Sequence, residues 1–161
     1  MAIRFGILTA SDRSARGERP DASGPALAER VRAEGWSVVQ TAILPDDRSA
    51  LAETLRQWAD SGSLDVILVT GGTGFAPRDV TPEATRDVIE KEAPGLAEAM
   101  RAASLHITPH AMLSRLAAGI RGRTLILDLP GSPKGALENL QVVLPVLEHA
   151  VHLLRDEDAG H

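Results

Sequence analysis

Cysteine and tyrosine are absent from this chain of 161 residues, and lysine occurs only twice. Without cysteine there is no disulfide and no thiolate metal site. Aromatic residues are nearly missing as well: Phe5, Trp36, Trp58 and Phe75 are all there are, so platforms for stacking bases are scarce and the core must be built from Leu, Val, Ile and Ala. A basic face is lacking too. The net charge is −5 and the fifteen arginines are scattered along the chain, which argues against a nucleic-acid partner. The first apolar run, Ile3 to Ala10, is too short to cross a membrane and has no secretory cleavage pattern. The expectation is a cytoplasmic protein with neither membrane nor nucleic-acid partner. Its length fits one domain over residues 1–155, followed by a flexible tail at 156–161.

Four apolar runs predict strands: Ile3 to Thr9, Ser37 to Leu44, Asp65 to Thr70 and Thr124 to Leu129. Three of them are nearly continuous rather than alternating, as in a parallel sheet covered on both faces. Helical patterns lie between them. Pro25 to Glu34 carries Leu27 and Val31 on one face and stops at Gly35; Ser49 to Asp60 carries Leu51, Leu55, Trp58 and Ala59 at helical spacing. Pro82 to Lys91 and Pro94 to Leu105 each place proline in the first turn, where it is tolerated. Ala118 to Gly122 is short and predicts an antiparallel edge or a hairpin with the strand at Thr124. The last stretch repeats Leu137, Leu140, Leu144, Leu147, Val151 and Leu154 at steps of three and four, with a kink or a two-helix break expected at Pro145. Strand–helix alternation of this kind predicts an α/β fold, a sheet sandwiched between helices.

In open parallel sheets ligands bind beyond the carboxyl ends of the strands, where strand order reverses. Those ends carry Ser11-Asp12-Arg13, Pro45-Asp46-Asp47, Gly71-Gly72-Thr73-Gly74 and Asp128-Leu129-Pro130-Gly131-Ser132-Pro133-Lys134. The connection from Gly71 to Thr81 exceeds the roughly 2–6 residues usual for a strand-to-helix loop. Thr81 is expected to cap the following helix, with Pro82 at its first position and Glu83 near its positive end. Glycines admit positive φ and a close ligand, and the helix start favours an anion. The loop lacks the Gly-Lys-Ser/Thr ending of a P-loop and the third glycine of a dinucleotide site, so it is neither common phosphate fingerprint.

Asp79 would repel a bound phosphate unless a cation lay between them. Mg2+ is the expected bridge, because it is held by one or two carboxylates together with phosphate oxygens and water. Asp46 is the candidate second carboxylate, with an ordinary turn residue after Pro45 as the equal alternative. Lys134 falls in the first turn of a helix, where the dipole disfavours a cation by about 0.3–1 kcal/mol unless an anion is bound. Ser132 either caps that helix or donates to a phosphate. Ser11, Asp12 and Arg13 are expected at the ligand, with a helix-capping turn and a surface ion pair as the alternative. The histidines are read as structural or surface residues.

These motifs, with Arg78-Asp79-Val80-Thr81-Pro82-Glu83-Ala84 and Ser114-Arg115, closely resemble the molybdenum-cofactor biosynthesis family that includes MogA, MoaB and the gephyrin G domain. The resemblance runs from about Ile3 to Leu154. It implies a three-layer α/β/α sandwich with a mostly parallel central sheet carrying an antiparallel edge, a homotrimer or hexamer, and other cofactor-biosynthesis proteins as partners. It also implies Mg2+-dependent adenylylation of molybdopterin by ATP, with release of pyrophosphate. Asp46 and Asp79 would serve metal binding and catalysis. Gly71, Gly72, Thr73 and Gly74 would hold phosphates or pterin, and Ser132 and Lys134 the molybdopterin phosphate or pyrophosphate. Ser11, Asp12, Arg13, Arg78, Thr81 and Glu83 complete the expected pocket. Some MoaB-type relatives lack the Arg-Asp-Val-Thr segment; its retention here favours an active enzyme. The alternatives are a non-catalytic molybdopterin carrier or assembly subunit, and an unrelated nucleotide-binding α/β protein. Nothing in the sequence separates a molybdenum from a tungsten pathway.

Overall fold

The computed structural model describes residues 2–157. In chain order the elements are β1 (Arg4–Ala10), α1 (Asp12–Ala15), α2 (Ser23–Ala33), β2 (Ser37–Leu44), α3 (Arg48–Asp60), β3 (Val66–Thr70), α4 (Thr81–Val88), β4 (Lys91–Glu92), α5 (Pro94–Leu105), a 3-10 turn (Pro109–Leu113), β5 (Ala118–Arg121), β6 (Thr124–Leu129) and α6 (Pro133–Leu154). The six strands form one sheet in the order β2-β1-β3-β6-β5-β4. β2, β1, β3 and β6 run parallel, and β5 and β4 close the far edge antiparallel.

Strand periodicity explains the three layers. Phe5, Ile7, Val66, Leu68, Leu125 and Leu127 point to one face, where they pack under α2, α5 and α6. Their neighbours Leu8, Ile67, Val69 and Ile126 point to the other, under α3 and α4. Alternate side chains must go to opposite faces; with both faces covered, every position of β3 and β6 is buried, and the sequence there loses its alternation. β2 lies at the open edge and is largely exposed. Among the described residues no helix is long and apolar enough to cross a membrane.

At the opposite end of the sheet from the site, Asp65 accepts hydrogen bonds from the backbone N–H of Arg4 (2.9 Å), from its Nε and Nη2 (3.1 Å each), and from Arg155 Nε and Nη2 (3.2 and 2.6 Å). This cluster clips the end of α6 to the start of β1 and β3. Despite its burial, the two guanidinium groups hold the Asp65 carboxyl below its ordinary pKa.

Two expectations are corrected. The helix expected over 82–91 ends at Val88, because Ile89 turns extended and the chain pairs with β5 through Glu90 N–H to Ile120 O (2.8 Å) and Ala93 N–H to Ala118 O (2.9 Å). Gly119 leaves the space: a Cβ there would meet Ile89 at 2.6 Å. Thr81 does not cap α4; its hydroxyl is buried without a partner, and Val80 stands at the N-cap. Of the two alternatives at Pro145, the two-helix break does not occur: Pro133–Leu154 is one helix. Pro145 is exposed, so the carbonyl one turn back that loses its donor can turn to water. Of the expected tail, Asp156 and Glu157 form a turn hydrogen-bonded to Leu153 O and His152 O; 158–161 lie outside the described residues.

Candidate active site

The chain leaves β1 toward β2 and returns across it to β3, so strand order reverses between β1 and β3. That is where a doubly wound sheet opens a crevice. A cavity of about 840 Å3 lies there, lined by Ser11, Asp12, Arg13, Asp46, Gly71, Gly72, Asp79 and Ser132 among others. Four separate strand ends thus converge on one mouth. Glycine is required at the seam. Gly71 has φ +101°, and a Cβ on it would lie 2.3 Å from the carbonyl oxygen of Ala10.

Asp12 and Asp46 grip each other's backbone. Asp12 N–H donates to Asp46 Oδ2 (3.0 Å) and Asp46 N–H donates to Asp12 Oδ1 (2.9 Å), which locks the ends of β1 and β2 together. Arg78 reaches across from the long loop and donates to both oxygens of Asp12 (3.0 and 2.9 Å). This guanidinium, helped by the Asp46 backbone, draws the Asp12 carboxyl down to about 2. Asp46 goes the other way: burial raises it above the ordinary range, and the negative charges of Asp12 and Asp79 add to the rise. Asp79 sits in a turn in which its Oδ2 accepts from Ala76 N–H (3.0 Å).

Two buried oxygens here lack partners, Asp46 Oδ1 and Thr81 Oγ1. Both lie against Gly72, at 2.9 and 2.6 Å from the point a Cβ there would occupy. Unpaired buried oxygens cost stability unless something completes them. A carboxylate and a hydroxyl are hard oxygen donors and suit Mg2+. Among the described residues no group of three or more His, Cys, Asp or Glu side chains could hold a metal by itself, so a cation here must share oxygens of water or a bound phosphate, the coordination Mg2+ prefers.

A second cavity of about 440 Å3 adjoins the first and shares Ser132 with it. Thr73 and Gly74 line this chamber, with Phe75, Ile107 and Leu113 as apolar walls. Ser132 caps α6, accepting from Gly135 N–H at 3.1 Å, and so stands at both chambers as well as at a helix start. Four expected site residues line neither cavity. Arg78 is engaged with Asp12, Thr81 lies beneath Gly72, Glu83 pairs with Arg115 at 2.7 Å, and the side chain of Lys134 is 84% exposed beside Glu138.

Arg19 and Asp21, from the segment joining α1 to α2, and Ser23, the first residue of α2, also line the first cavity; the sequence shows Asp21 and Ser23 only as part of a polar loop after the first strand, and assigns no site role to any of the three. Asp21 accepts from Thr9 Oγ1 at 2.8 Å and from Gly24 N–H at 3.1 Å, which folds that segment back over the mouth. Asn139 on the second cavity donates to Ser104 Oγ at 2.7 Å; its polarity beside Leu140 on an otherwise apolar helix face was the available signal.

Comparison with known proteins agrees with the geometry. Residues 6–149 match the family described as probable molybdopterin binding domain. The Drosophila melanogaster molybdenum cofactor synthesis protein cinnamon is 47% identical over 158 residues, covering 97% of this chain and 26% of that protein. This chain therefore spans about a quarter of the length of that relative. The Helicobacter pylori molybdopterin adenylyltransferase is 41% identical over 154 residues, covering 94% of this chain and 88% of that protein. The crystal structure of the molybdopterin biosynthesis enzyme MoaB from Thermus thermophilus superposes with a TM-score of 0.90 at 53% identity, covering 96% of this chain and 98% of that one. The chain belongs to the molybdopterin-binding family.

Proposed function

We propose that this member of the molybdopterin-binding family is a molybdopterin adenylyltransferase. A phosphate oxygen of molybdopterin attacks the α-phosphorus of ATP, the bond from that phosphorus to the β-phosphate oxygen breaks, and pyrophosphate leaves with the bonding electrons. The products are adenylyl-molybdopterin and pyrophosphate. The observation that carries this reading is the partnerless buried oxygen of Asp46, set against Gly72 on a cavity that Asp79 also lines. Acidic side chains at an anion-sized glycine mouth make chemical sense when the guest is a metal-bound polyphosphate.

Asp46 and Asp79 would hold Mg2+, which when bound neutralises the reacting phosphates and the departing pyrophosphate. The remaining catalysis is positioning and electrostatic stabilisation. Backbone N–H groups at Gly72 and Gly74, with the hydroxyls of Thr73 and Ser132, are assigned to phosphate and pterin contacts at the junction of the two chambers, while Gly71, whose own N–H donates to Leu129 O at 3.1 Å, supplies the bare turn that lets a ligand come close. Ser11, Asp12 and Arg13 line the same mouth, where Arg13 offers positive charge. Arg78 keeps Asp12 ionised and compensated. Thr81 supports Gly72 from below, and Lys134, exposed at the start of α6, would reach a phosphate only by extending over Ser132. The name of the Helicobacter relative, which this chain matches over most of its length, supports the same reaction.

The test is incubation of the purified chain with molybdopterin, ATP and Mg2+. Pyrophosphate and adenylyl-molybdopterin should appear in equal amounts, and Asp79→Ala should slow turnover by about a hundredfold or more. Tight molybdopterin binding without pyrophosphate release would make the protein a carrier instead. An Asp79→Ala variant as fast as the wild type would remove Asp79 from the chemistry.

A further inference from the structure

Val80 packs against the core under α3 and α4, but the stretch of the loop that precedes Asp79 has little apolar packing. Phe75 is 68% exposed, and Ala76, Pro77 and Arg78 are exposed as well. Its position is therefore set largely by polar contacts, and one residue outside the loop supplies three of them. Arg115 donates from its backbone N–H to Thr73 O (2.8 Å), from Nε to Gly74 O (2.8 Å) and from Nη2 to Asp79 O (3.0 Å). Three carbonyls spanning both ends of the turn are satisfied by a single side chain and its own amide. The remaining faces of the guanidinium go to Glu83, at 2.7 and 3.2 Å. Its positive charge draws the Glu83 carboxyl below its ordinary pKa.

The two arms of this clamp are themselves fixed. Arg101 donates to Ser114 O (2.9 Å) and Leu116 O (3.0 Å), on either side of Arg115. Fully buried Asp128 accepts from Ala117 N–H (2.9 Å) and from Thr85 Oγ1 (2.6 Å), the latter in the helix that carries Glu83. The other tether of the loop, Arg78 to Asp12, has its guanidinium side chain 67% exposed, where ion pairs contribute little. Arg115 lines neither cavity.

We infer that Arg115, braced by Glu83, is a positioning residue: it fixes the backbone at Gly74 and Asp79 and so sets where the Asp79 carboxylate stands on the cavity, without touching substrate. This rests on the assignment of Asp79 to adenylyl transfer. A planar fork is needed, since Gly74 O, Asp79 O and the Glu83 carboxylate are met by three separate nitrogens of Arg115, Nε, Nη2 and Nη1, whose spread a single ammonium nitrogen does not reproduce.

Arg115→Lys keeps the charge and loses the fork. In the ligand-free protein, amide exchange across 74–81 should quicken about tenfold relative to wild type, with β1 and β3 unchanged. In the adenylyl-transfer assay kcat should fall roughly ten- to a hundredfold while KM for ATP stays within about threefold, the pattern of a displaced catalytic group. Glu83→Gln retains an acceptor but not its charge and should shift both readouts the same way by less; it carries the test if Arg115→Lys does not fold. Unchanged exchange across 74–81 in the folded variant would overturn the inference, as would a raised KM with unchanged kcat, which would place Arg115 on the substrate. If the wild type releases no pyrophosphate, the reaction assignment fails, yet the exchange comparison, run without substrate, still decides whether Arg115 holds the loop.

Discussion

Asp128→Asn should stabilise this protein, and increasingly so as the pH rises. The Asp128 side chain is fully buried in β6 on the face covered by α4, and burial lifts its carboxyl to about 7, only partly offset by the hydrogen bonds from Thr85 and Ala117. In the unfolded chain the same group ionises near 3.9. Between those values the folded state holds a proton that the unfolded state has released, so stability falls with rising pH by about 1.4 kcal/mol per unit and levels off above about 7. Asparagine reproduces the neutral acid: its carbonyl can accept from Ala117 N–H and its amide can donate to Thr85 Oγ1. It never ionises. The advantage of Asp128→Asn over wild type should therefore grow by about 2–3 kcal/mol between pH 5 and pH 8. For a chain of this length that corresponds to a difference in Tm widening by roughly 5–10 °C. Thermal unfolding of both proteins, followed by circular dichroism at pH 5, 6, 7 and 8, measures it, and subtraction cancels every other titrating group. Parallel Tm curves across that range would show that Asp128 is ionised in the folded protein, refuting the argument from burial.

Gly71→Ala should cost about 2–4 kcal/mol, since φ is +101° and the new methyl would press on Ala10 O at 2.3 Å; a urea midpoint equal to wild type would show that the seam between β1 and β3 relaxes freely. Asp65→Ala leaves Arg4 and Arg155 without their shared carboxylate and should cost about 2–4 kcal/mol at pH 7. Because the Asp65 pKa is depressed in the folded protein, that stabilisation is present above the unfolded value near 3.9 and is lost as pH falls through the folded value; urea melts whose difference stays constant down to pH 2 would contradict it.

The legible parts of the fold were those fixed by local pattern. β1, β3 and β6 are continuous apolar runs because both faces are buried, and the antiparallel edge at Ala118 was read from its short length beside β6. β4 was not legible: Lys91-Glu92 has no strand character of its own and exists through pairing with β5, a long-range contact that overrides the helical pattern leading into it. At Pro145 the sequence left a kink and a break open, and the break is avoided because the orphaned carbonyl can meet water on an exposed face. The site follows the same division. Glycines and carboxylates at strand ends pointed to the mouth, and Asp46, Asp79, Gly71 and Ser132 do meet there. Arg115, although part of a recognisable motif, had no readable role, since its acceptors are main-chain carbonyls and those leave no trace in side-chain patterning.

The acidic character of the mouth then takes a definite form. Asp12, Asp46 and Asp79 line one cavity, and three carboxylates so placed would repel one another and any phosphate. Arg78 removes one of the three charges by pairing with Asp12. Asp46 remains raised by burial and by its neighbours, with one oxygen unsatisfied, so the local field calls for a positive guest beside Gly72. Arg13 in α1 and Arg19 in the segment that follows are exposed and line the same cavity. A polyphosphate bound there would meet guanidinium groups as well as a carboxylate that favours a cation, and holding it among unlike charges is the positioning that a phosphoryl-type transfer requires of its protein.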